Sequence, residues 1–470
     1  MNILFVSHSS EIGGAEQVLL NLINELDKHG IRSLVALPGP GPLEKRLRAK
    51  DIDCFQTELK WWLIPGNRDS NQGFLDFCDG IKDRVARLTE VIASRSIDLV
   101  VTNTSAIPEG ALAAKMTGVP HVWYIHELLG GKGGLQTPAA KKLFFSVVSF
   151  LSRSIVVVSQ SVYDDLQESG GIEAPVEIIY NGVEINPEPG ERKYLKDKKI
   201  IAVGSIYEGK GILTLLHAAR EVCDQKAEAV FFVAGKVMDP LHYQYLLQER
   251  ACLGLEEKFV FLGFREDIPE LLRQSDLFVL PSLRESFSMV VLEAMNAALP
   301  VVATRSGGSE EMIVEGENGF LVEVNDPSMM ADRILFLLNH ELQARAMGEK
   351  GCTTVKQNFS LDQFGRNFIR FLEKVSLGKV VESPHSRERL IELIDFFDGL
   401  GQGKRQIVEK KQEQIRQLEE RHRQLEERHQ QEIRGIIADF TSSHSWRLTK
   451  PLRWVSKKIK REVRPQNNSY

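Results

Sequence analysis

Cysteine is scarce in this chain. There are five in 470 residues (Cys54, Cys78, Cys223, Cys252 and Cys352), odd in number, far apart and never in a CxxC pair. That pattern supports neither a disulfide framework nor a zinc site, and it suits a reducing compartment such as the cytoplasm. A strong charge imbalance is also lacking: the net charge is −5 and the pI near 6.2, so nothing draws the protein as a whole to nucleic acid. The opening MNILFVSHSS has no basic segment and no small-residue cleavage pattern, and it reads as a first strand rather than a signal peptide. The longest apolar stretch, Leu143 to Val158, contains Arg153 and several serines and is shorter than the roughly 20 residues a spanning helix needs. The dinucleotide fingerprint GxGxxG is missing, which disfavours a nicotinamide enzyme. What remains is 43% apolar and 8% aromatic residues in a length suited to two or three domains, which excludes a disordered or fibrous protein.

Short strand-like runs alternate with helix-length segments: Ile3–Ser7, then Ala15–Lys28 with apolar residues at helical spacing, then Ser33–Leu37, and later Leu99–Thr102, Val122–Ile125 and Ile155–Ser159. Such alternation implies a parallel sheet wrapped by helices. The pattern restarts at Lys199–Val203 and runs through Val230–Ala234, Phe259–Leu262, Leu277–Leu280, Val301–Ala303 and Gly319–Val322, so a second α/β domain follows the first. Between them Tyr180-Asn181-Gly182-Val183 and the proline-rich, charged stretch Asn186–Lys199 have linker composition, with a hinge expected near Asn181–Gly182. Beyond about Val381, Glu, Arg, Gln and Lys take over. Gln417-Leu-Glu-Glu-Arg-His-Arg is followed by Gln424-Leu-Glu-Glu-Arg-His-Gln, a seven-residue repeat of coiled-coil type.

Three segments are candidates for chemistry. Ile12-Gly13-Gly14-Ala15-Glu16 lies between the first strand and first helix, where glycines let backbone amides approach an anion; a plain tight turn would need the same residues. Gly204-Ser205-Ile206-Tyr207-Glu208-Gly209-Lys210-Gly211 nearly matches P-loop spacing, but Gly211 stands where a Ser or Thr would hold magnesium. A phosphate site served by Lys210 and loop amides is the reading that survives. In the stretch from Pro281 to Thr304, Glu285 and Glu293 stand eight residues apart, one before a helix and one two turns into it.

That E-x7-E spacing resembles the GT-B glycosyltransferases of family 4. The GGAE loop, Tyr124-Ile125-His126-Glu127, Asn181-Gly182-Val183, the Gly204–Lys210 loop, Phe261-Leu262-Gly263-Phe264-Arg265 and Gly307-Gly308-Ser309-Glu310-Glu311 agree with it in order, over about residues 1 to 376. The resemblance implies two Rossmann-like domains facing across a cleft: residues 1–182, with 359–376 crossing back as a helix over Phe359–Val375, and residues 183–358. It implies a nucleotide-sugar donor held by Gly13, Gly14, Gly204, Ser205, Lys210, Phe264, Arg265 and Glu293, the last on the ribose. The amides of Ser286, Phe287, Ser288 and Met289 would meet the diphosphate at a helix N-terminus. Glu285 would lie by the scissile bond, His126 would face the donor sugar from the acceptor side, and Lys210 would neutralise the leaving group. Retention at the anomeric carbon, no cofactor and no bound metal are expected. The sequence departs from the family where Gly204-Ser205-Ile206 replaces GRL, removing a cation that Arg284 or Arg305 would have to supply, and where Glu285-Ser286-Phe287-Ser288 replaces EGFG.

The expected function is transfer of a hexose to a polysaccharide or lipid-linked oligosaccharide in bacterial surface-glycan synthesis. A sugar-nucleotide epimerase or phosphorylase on the same fold, or a coiled-coil scaffold without turnover, are the alternatives. Residues 384–440 are expected to be helical, with 404–437 forming a parallel homodimer. Ile415, His422 and His429 fall at heptad position a, Leu418 and Leu425 at d, Arg421 at g and Glu426 at e. In 441–470, the segment 446–464 holds eight Lys or Arg against one Glu, interleaved with Trp446, Leu452, Trp454 and Ile459, the composition of a segment lying on an anionic inner leaflet. Lys132, Lys141, Lys142 and Arg153 intersperse with Phe144, Phe145 and Phe150. They form either an amphipathic helix packed on its own sheet or a basic, greasy rim for a lipid-linked acceptor.

Overall fold

The computed structural model describes residues 1–65, 70–130, 135–137, 140–185, 198–376 and 384–442. The first half contains β1 (Asn2–Val6), β2 (Arg32–Leu37), β3 (Asp53–Gln56), β4 (Ile64–Pro65), β5 (Leu99–Thr102), β6 (His121–Ile125), β7 (Leu135–Gln136), β8 (Ser154–Val157) and β9 (Val176–Ile178). Seven of these form one sheet in the order β3-β2-β1-β5-β6-β8-β9, every neighbouring pair parallel, while β4 and β7 make a short antiparallel ribbon. The second half contains β10 (Lys198–Val203), β11 (Ala229–Ala234), β12 (Phe259–Gly263), β13 (Leu277–Leu280), β14 (Val301–Thr304) and β15 (Phe320–Val322), in the parallel order β12-β11-β10-β13-β14-β15.

Helices cover both faces of each sheet, so the central strands are apolar on both sides. All four residues of β5, β8, β13 and β14 are buried. The strand runs expected from the sequence all form, with ends shifted by a residue or two. Neither β3 nor β9 is signalled in the sequence: both are short edge strands with a charged residue, and neither shows a long apolar run.

The chain passes between the domains twice, at one place. The Val183 amide donates to the Phe359 carbonyl at 2.9 Å and the Leu361 amide to the Val183 carbonyl at 3.0 Å. The crossing helix, Leu361–Ser376, buries Phe364, Phe368 and Phe371 and packs against the helix Gly14–Asp27 so closely that a Cβ on Gly365 would lie 2.8 Å from that of Glu25. Residues 186–197 of the expected linker lie outside the described residues.

The C-terminal helix runs from Pro384 to Ser442. Taken by itself, its part from Gln402 onward exposes Ile407, Val408, Ile415, Leu418, Leu425 and Ile436. The basic segment 446–464 and Lys132 lie outside the described residues. Among those described, no helix is long and apolar enough to cross a membrane.

One buried ion pair braces the first domain. Arg84 and Glu109, both fully buried, meet at 2.8 Å; Arg84 also donates to the carbonyls of Phe77 and Asp79, and Glu109 accepts the Lys60 amide at 3.0 Å. Removing one partner leaves the other charged and dry. Glu109→Ala is expected to lower stability by about 3–5 kcal/mol, read as a drop in the denaturation midpoint against the parent protein.

Candidate active site

Each strand order reverses once, between β1 and β5 in the first sheet and between β10 and β13 in the second. Loops leaving the carboxyl ends of strands on either side of such a reversal diverge and open a crevice, which is where open α/β sheets bind ligands. Here the two crevices face each other across one cavity of about 280 Å³. Gly14, Ala15, His126, Val158 and Asn181 line it from the first domain, and Val203 to Ser205, Lys210 and Glu285 to Val290 from the second.

On the second domain's side, the loop after β10 makes a turn of 3-10 helix, Glu208–Lys210. Gly211 then has φ +62°, and a Cβ there would lie 1.9 Å from the Pro281 carbonyl oxygen. The residue that breaks the P-loop pattern is therefore required by the backbone. Lys210 Nζ lies 2.7 Å from Glu285 Oε2, which also accepts the Ser282 hydroxyl at 3.1 Å. Burial works against the lysine's charge, but the Glu285 carboxylate, with Tyr207 nearby, holds its pKa above the usual value.

Glu285 is pinned through its backbone: its amide donates to the Ser306 carbonyl at 2.8 Å and its carbonyl accepts the Gly308 amide at 2.9 Å. Side chains at Gly307 and Gly308 would strike the Glu285 and Ser286 carbonyls at 2.7 and 2.1 Å, which explains the paired glycines. Three residues on, the Glu311 carboxylate accepts the amides of Gln160 (2.7 Å) and Ser161 (3.0 Å), the first residues of the helix Gln160–Ser169 in the opposite domain. The segment Ser286 to Ser288 leads into the helix Met289–Asn296, whose N-cap is Ser288, so the expected helix N-terminus borders the cavity.

On the first domain's side, His126 follows β6. Its Nε2 lies 3.0 Å from Asn103 Oδ1, and Asn103 in turn donates to the Ala15 carbonyl at 3.1 Å. Asn103 thus ties the loops after β1, β5 and β6 together. Burial drives the imidazole's pKa down to about 4, so the ring is neutral near pH 7. Glu127 accepts the Thr104 hydroxyl and, at 3.1 Å, both the amide and hydroxyl of Ser105, a structural use for the second half of the His-Glu pair. Asn181 at the hinge accepts the Tyr124 hydroxyl at 2.7 Å. An isolated asparagine follows no spacing rule, and Asn103 carries no signal in the sequence, whereas Asn181 belongs to the expected hinge segment Tyr180–Val183.

Several expected residues lie elsewhere. Gly13 is the N-cap of the first helix, its amide donating to Glu16 Oε2 at 3.1 Å, and only Gly14 reaches the cavity. Phe264 is 66% exposed and Arg265 donates to Asp267 at 2.8 Å; both follow the edge strand β12, two strands from the crevice between β10 and β13. Arg284 points away from the cavity, donating to the Leu129 carbonyl (2.9 Å) and to Asp165 (2.8 Å) across the domain boundary, and Arg305 pairs with Glu310 and Glu323. Neither lines the cavity. Glu293 is the fifth residue of its helix, in the second turn, not two full turns in, and it does not line the cavity. Its carboxyl makes no hydrogen bond among the described residues, and burial pushes its pKa up to about 7.

A family model described as Glycosyltransferase Family 4 matches residues 12–186, and one described as Glycosyl transferases group 1 matches residues 187–353. The chain is 29% identical over 220 residues to the N-acetyl-alpha-D-glucosaminyl L-malate synthase of Bacillus anthracis, covering 44% of this chain and 55% of that protein. It is 26% identical over 260 residues to the UDP-Gal:alpha-D-GlcNAc-diphosphoundecaprenol alpha-1,3-galactosyltransferase of Escherichia coli, covering 51% and 66%. The aligned part thus spans between about half and two thirds of these two curated relatives. The crystal structure of HepE from Anabaena in complex with UDP superposes with a TM-score of 0.66 at 23% identity, over 80% of this chain and all of that one. A glycosyltransferase of Rickettsia africae gives 0.67 at 22%, over 80% and 99%. At these identities the likeness is one of fold.

The environment of Glu293 makes a prediction about stability. An acid whose pKa rises from 4.5 to about 7 on folding keeps a proton that the unfolded chain has released, so between those values its contribution to stability falls as pH rises. Glu293→Gln cannot ionise. The melting temperature of that variant relative to the parent is expected to rise between pH 5 and pH 8.

Proposed function

Because the chain belongs to glycosyltransferase family 4 and has the GT-B fold, we propose that it moves a hexose from a nucleotide-diphosphate sugar to a polysaccharide or lipid-linked oligosaccharide, with retention and without a bound metal. The observation that carries this reading is the convergence, in one cavity between the two domains, of Lys210, Glu285, His126 and the helix start at Ser286–Met289. The complexes of HepE with UDP and UDP-glucose, and the diphosphoundecaprenol acceptor in the name of the E. coli relative, support a nucleotide-sugar donor and a lipid-linked acceptor. Bacterial surface-glycan synthesis on the cytoplasmic side of the membrane is the setting this implies.

The chemistry follows from charge. Breaking the bond to the sugar leaves negative charge on the diphosphate. A helix N-terminus and an ammonium group preorganised around it stabilise that charge more as it develops than before, which lowers the barrier. A diphosphate beside Lys210 would compete with Glu285 for the ammonium group, freeing the carboxylate to face the sugar. Neutral His126 can hydrogen-bond a sugar hydroxyl without adding charge. Glu293, ionised above about pH 7, would accept from the ribose hydroxyls. Incubation with a panel of radiolabelled sugar nucleotides tests the reading: donor hydrolysis or transfer supports it, isomerised donor points to an epimerase, and no turnover with any donor removes it.

The basic, Trp-containing segment 446–464 would hold the enzyme on an anionic inner leaflet. The exposed stripe Ile415, Leu418 and Leu425 would be covered by a second copy in a parallel dimer through 404–437.

Three predictions test these assignments. Lys210→Ala should reduce kcat by roughly 10² to 10³. In the same assays Glu293→Ala should raise the donor KM more than it lowers kcat, and Glu285→Ala the reverse, because a ribose contact is made in both ground and transition states. The dimer should be seen by sedimentation at pH 8; a monomer there rules it out.

A further inference from the structure

Of the loop Gly13 to Glu16, Gly14 and Ala15 line the catalytic cavity, while the Glu16 carboxyl is buried opposite His8. Glu16 Oε2 accepts the Gly13 amide, but Oε1 makes no hydrogen bond among the described residues. What Oε1 faces, at 3.5 Å, is His8 Nδ1, which is also buried and also without a hydrogen bond. A carboxyl in that position favours the N–H on Nδ1 and leaves the lone pair on Nε2. Among the described residues Nε2 bonds nothing, and the side chain keeps 15% of its surface exposed.

The His8 ring packs edge-on against Trp61, with centroids 5.1 Å apart, and Trp61 Nε1 donates to the His8 carbonyl at 3.4 Å. The adjacent Trp62 belongs to the core. It stacks on Trp123, and its ring and amide donate to the Ser105 and Ala106 carbonyls at 2.7 and 3.0 Å, fixing the loop after β3 to the loop after β5. Trp61 is only partly buried and lines a second cavity, of about 460 Å³, with Leu59, Lys60, Ile64, Asp76 and Phe77. Leu59 to Trp61 leave the carboxyl end of β3, so the strand order β3-β2-β1 sets this cavity beside the catalytic crevice at the same edge of the sheet. Its lining comes from the first domain alone. His8 adjoins it through Trp61 and is near enough to His126 for their charges to repel.

The lining also limits what could bind. Lys60 Nζ is engaged by the Asp79 carbonyl at 3.1 Å and by Glu58 at 3.2 Å, so no free cation calls for a phosphate. An indole, an apolar wall and an imidazole acceptor suit a neutral ligand with an apolar face and hydroxyl groups, which describes a pyranose.

We propose that His8 and Trp61 form a second acceptor subsite, which takes the sugar preceding the accepting one in a glycan chain. The C–H face of that sugar would lie on the Trp61 indole, and one of its hydroxyls would donate to His8 Nε2, with Glu16 holding the imidazole in place. The inference rests on the reading of the chain as a glycosyltransferase. It makes the enzyme selective for acceptors of two or more sugars.

The test uses the full chain and compares p-nitrophenyl glycosides of single hexoses with those of disaccharides ending in the same hexose. Transfer is followed with a donor that the parent turns over, and binding, without donor, by saturation-transfer NMR. The parent should show a KM roughly tenfold lower for a disaccharide than for its single-hexose counterpart, and Trp61→Ala and His8→Ala should each remove most of that preference. Single-hexose KM, donor KM and donor hydrolysis should not change, while Trp61→Phe, which keeps a ring, should restore much of the preference. Melting temperatures show whether Trp61→Ala has lost the fold; His8→Ala, at a partly exposed side chain, tests the site independently. Equal KM values for both acceptor lengths in the parent, a preference retained by both alanine variants, or no binding of any disaccharide would overturn the proposal. Disaccharide binding lost in both variants, with no donor turned over by the parent, would keep the subsite and remove the transferase reading. Donor turnover with indistinguishable variants would do the reverse.

Discussion

In a parallel sheet every strand ends at the same edge, and this constraint organises the molecule. The first sheet reverses between β1 and β5 and the second between β10 and β13, so each has one crevice at its carboxyl edge. The polar residues of the cavity come from loops leaving those strands, or from the hinge that joins the domains. Gly14 and His126 follow β1 and β6, and Lys210 and Glu285 follow β10 and β13. The sheets themselves contribute almost only buried apolar side chains. Their role is to hold opposing loops at a fixed separation.

Contacts between the domains are concentrated around Glu285. Its neighbour Arg284 reaches Leu129 and Asp165, and Gly308, bonded to its carbonyl, is three residues from Glu311, which receives the start of an opposing helix. Phe287, two residues further on, stacks with Tyr180 and meets Phe359 where the chain crosses. The position of this carboxylate is therefore coupled to how the domains face each other. The charge in the cavity is nearly balanced, with Lys210 against Glu285 and a neutral His126. An incoming diphosphate would tip that balance, because it brings a stronger claim on the ammonium group than a single carboxylate.

The treatment of charge differs across the first domain. Arg84 is fully buried and has both a carboxylate and carbonyls to bond, since an unpaired guanidinium there would be costly. Arg153 and Lys142, nearer the surface, have no such partners among the described residues. Water can solvate them, so folding requires no partner for them.

Much of the fold was legible in the sequence because its signals are local. Apolar runs four to six residues long, separated by helical periodicity, mark the central strands, and the Glu285–Glu293 spacing together with the glycine pairs marks the second domain's crevice. A glycine such as Gly211 or Gly308 reports a backbone demand at its own position. Which loops meet was decided only by the tertiary structure. Phe264 and Arg265 follow a strand just as Gly204 and Lys210 do, yet β12 is an edge strand and β10 a central one. Arg284 adjoins Glu285 in the chain but points to the other domain. Asn103 holds His126 in place without belonging to any motif. The physical reason is common to all three: strand order and the direction of side chains at a sheet's edge result from packing between residues far apart in the chain, and no local pattern encodes them.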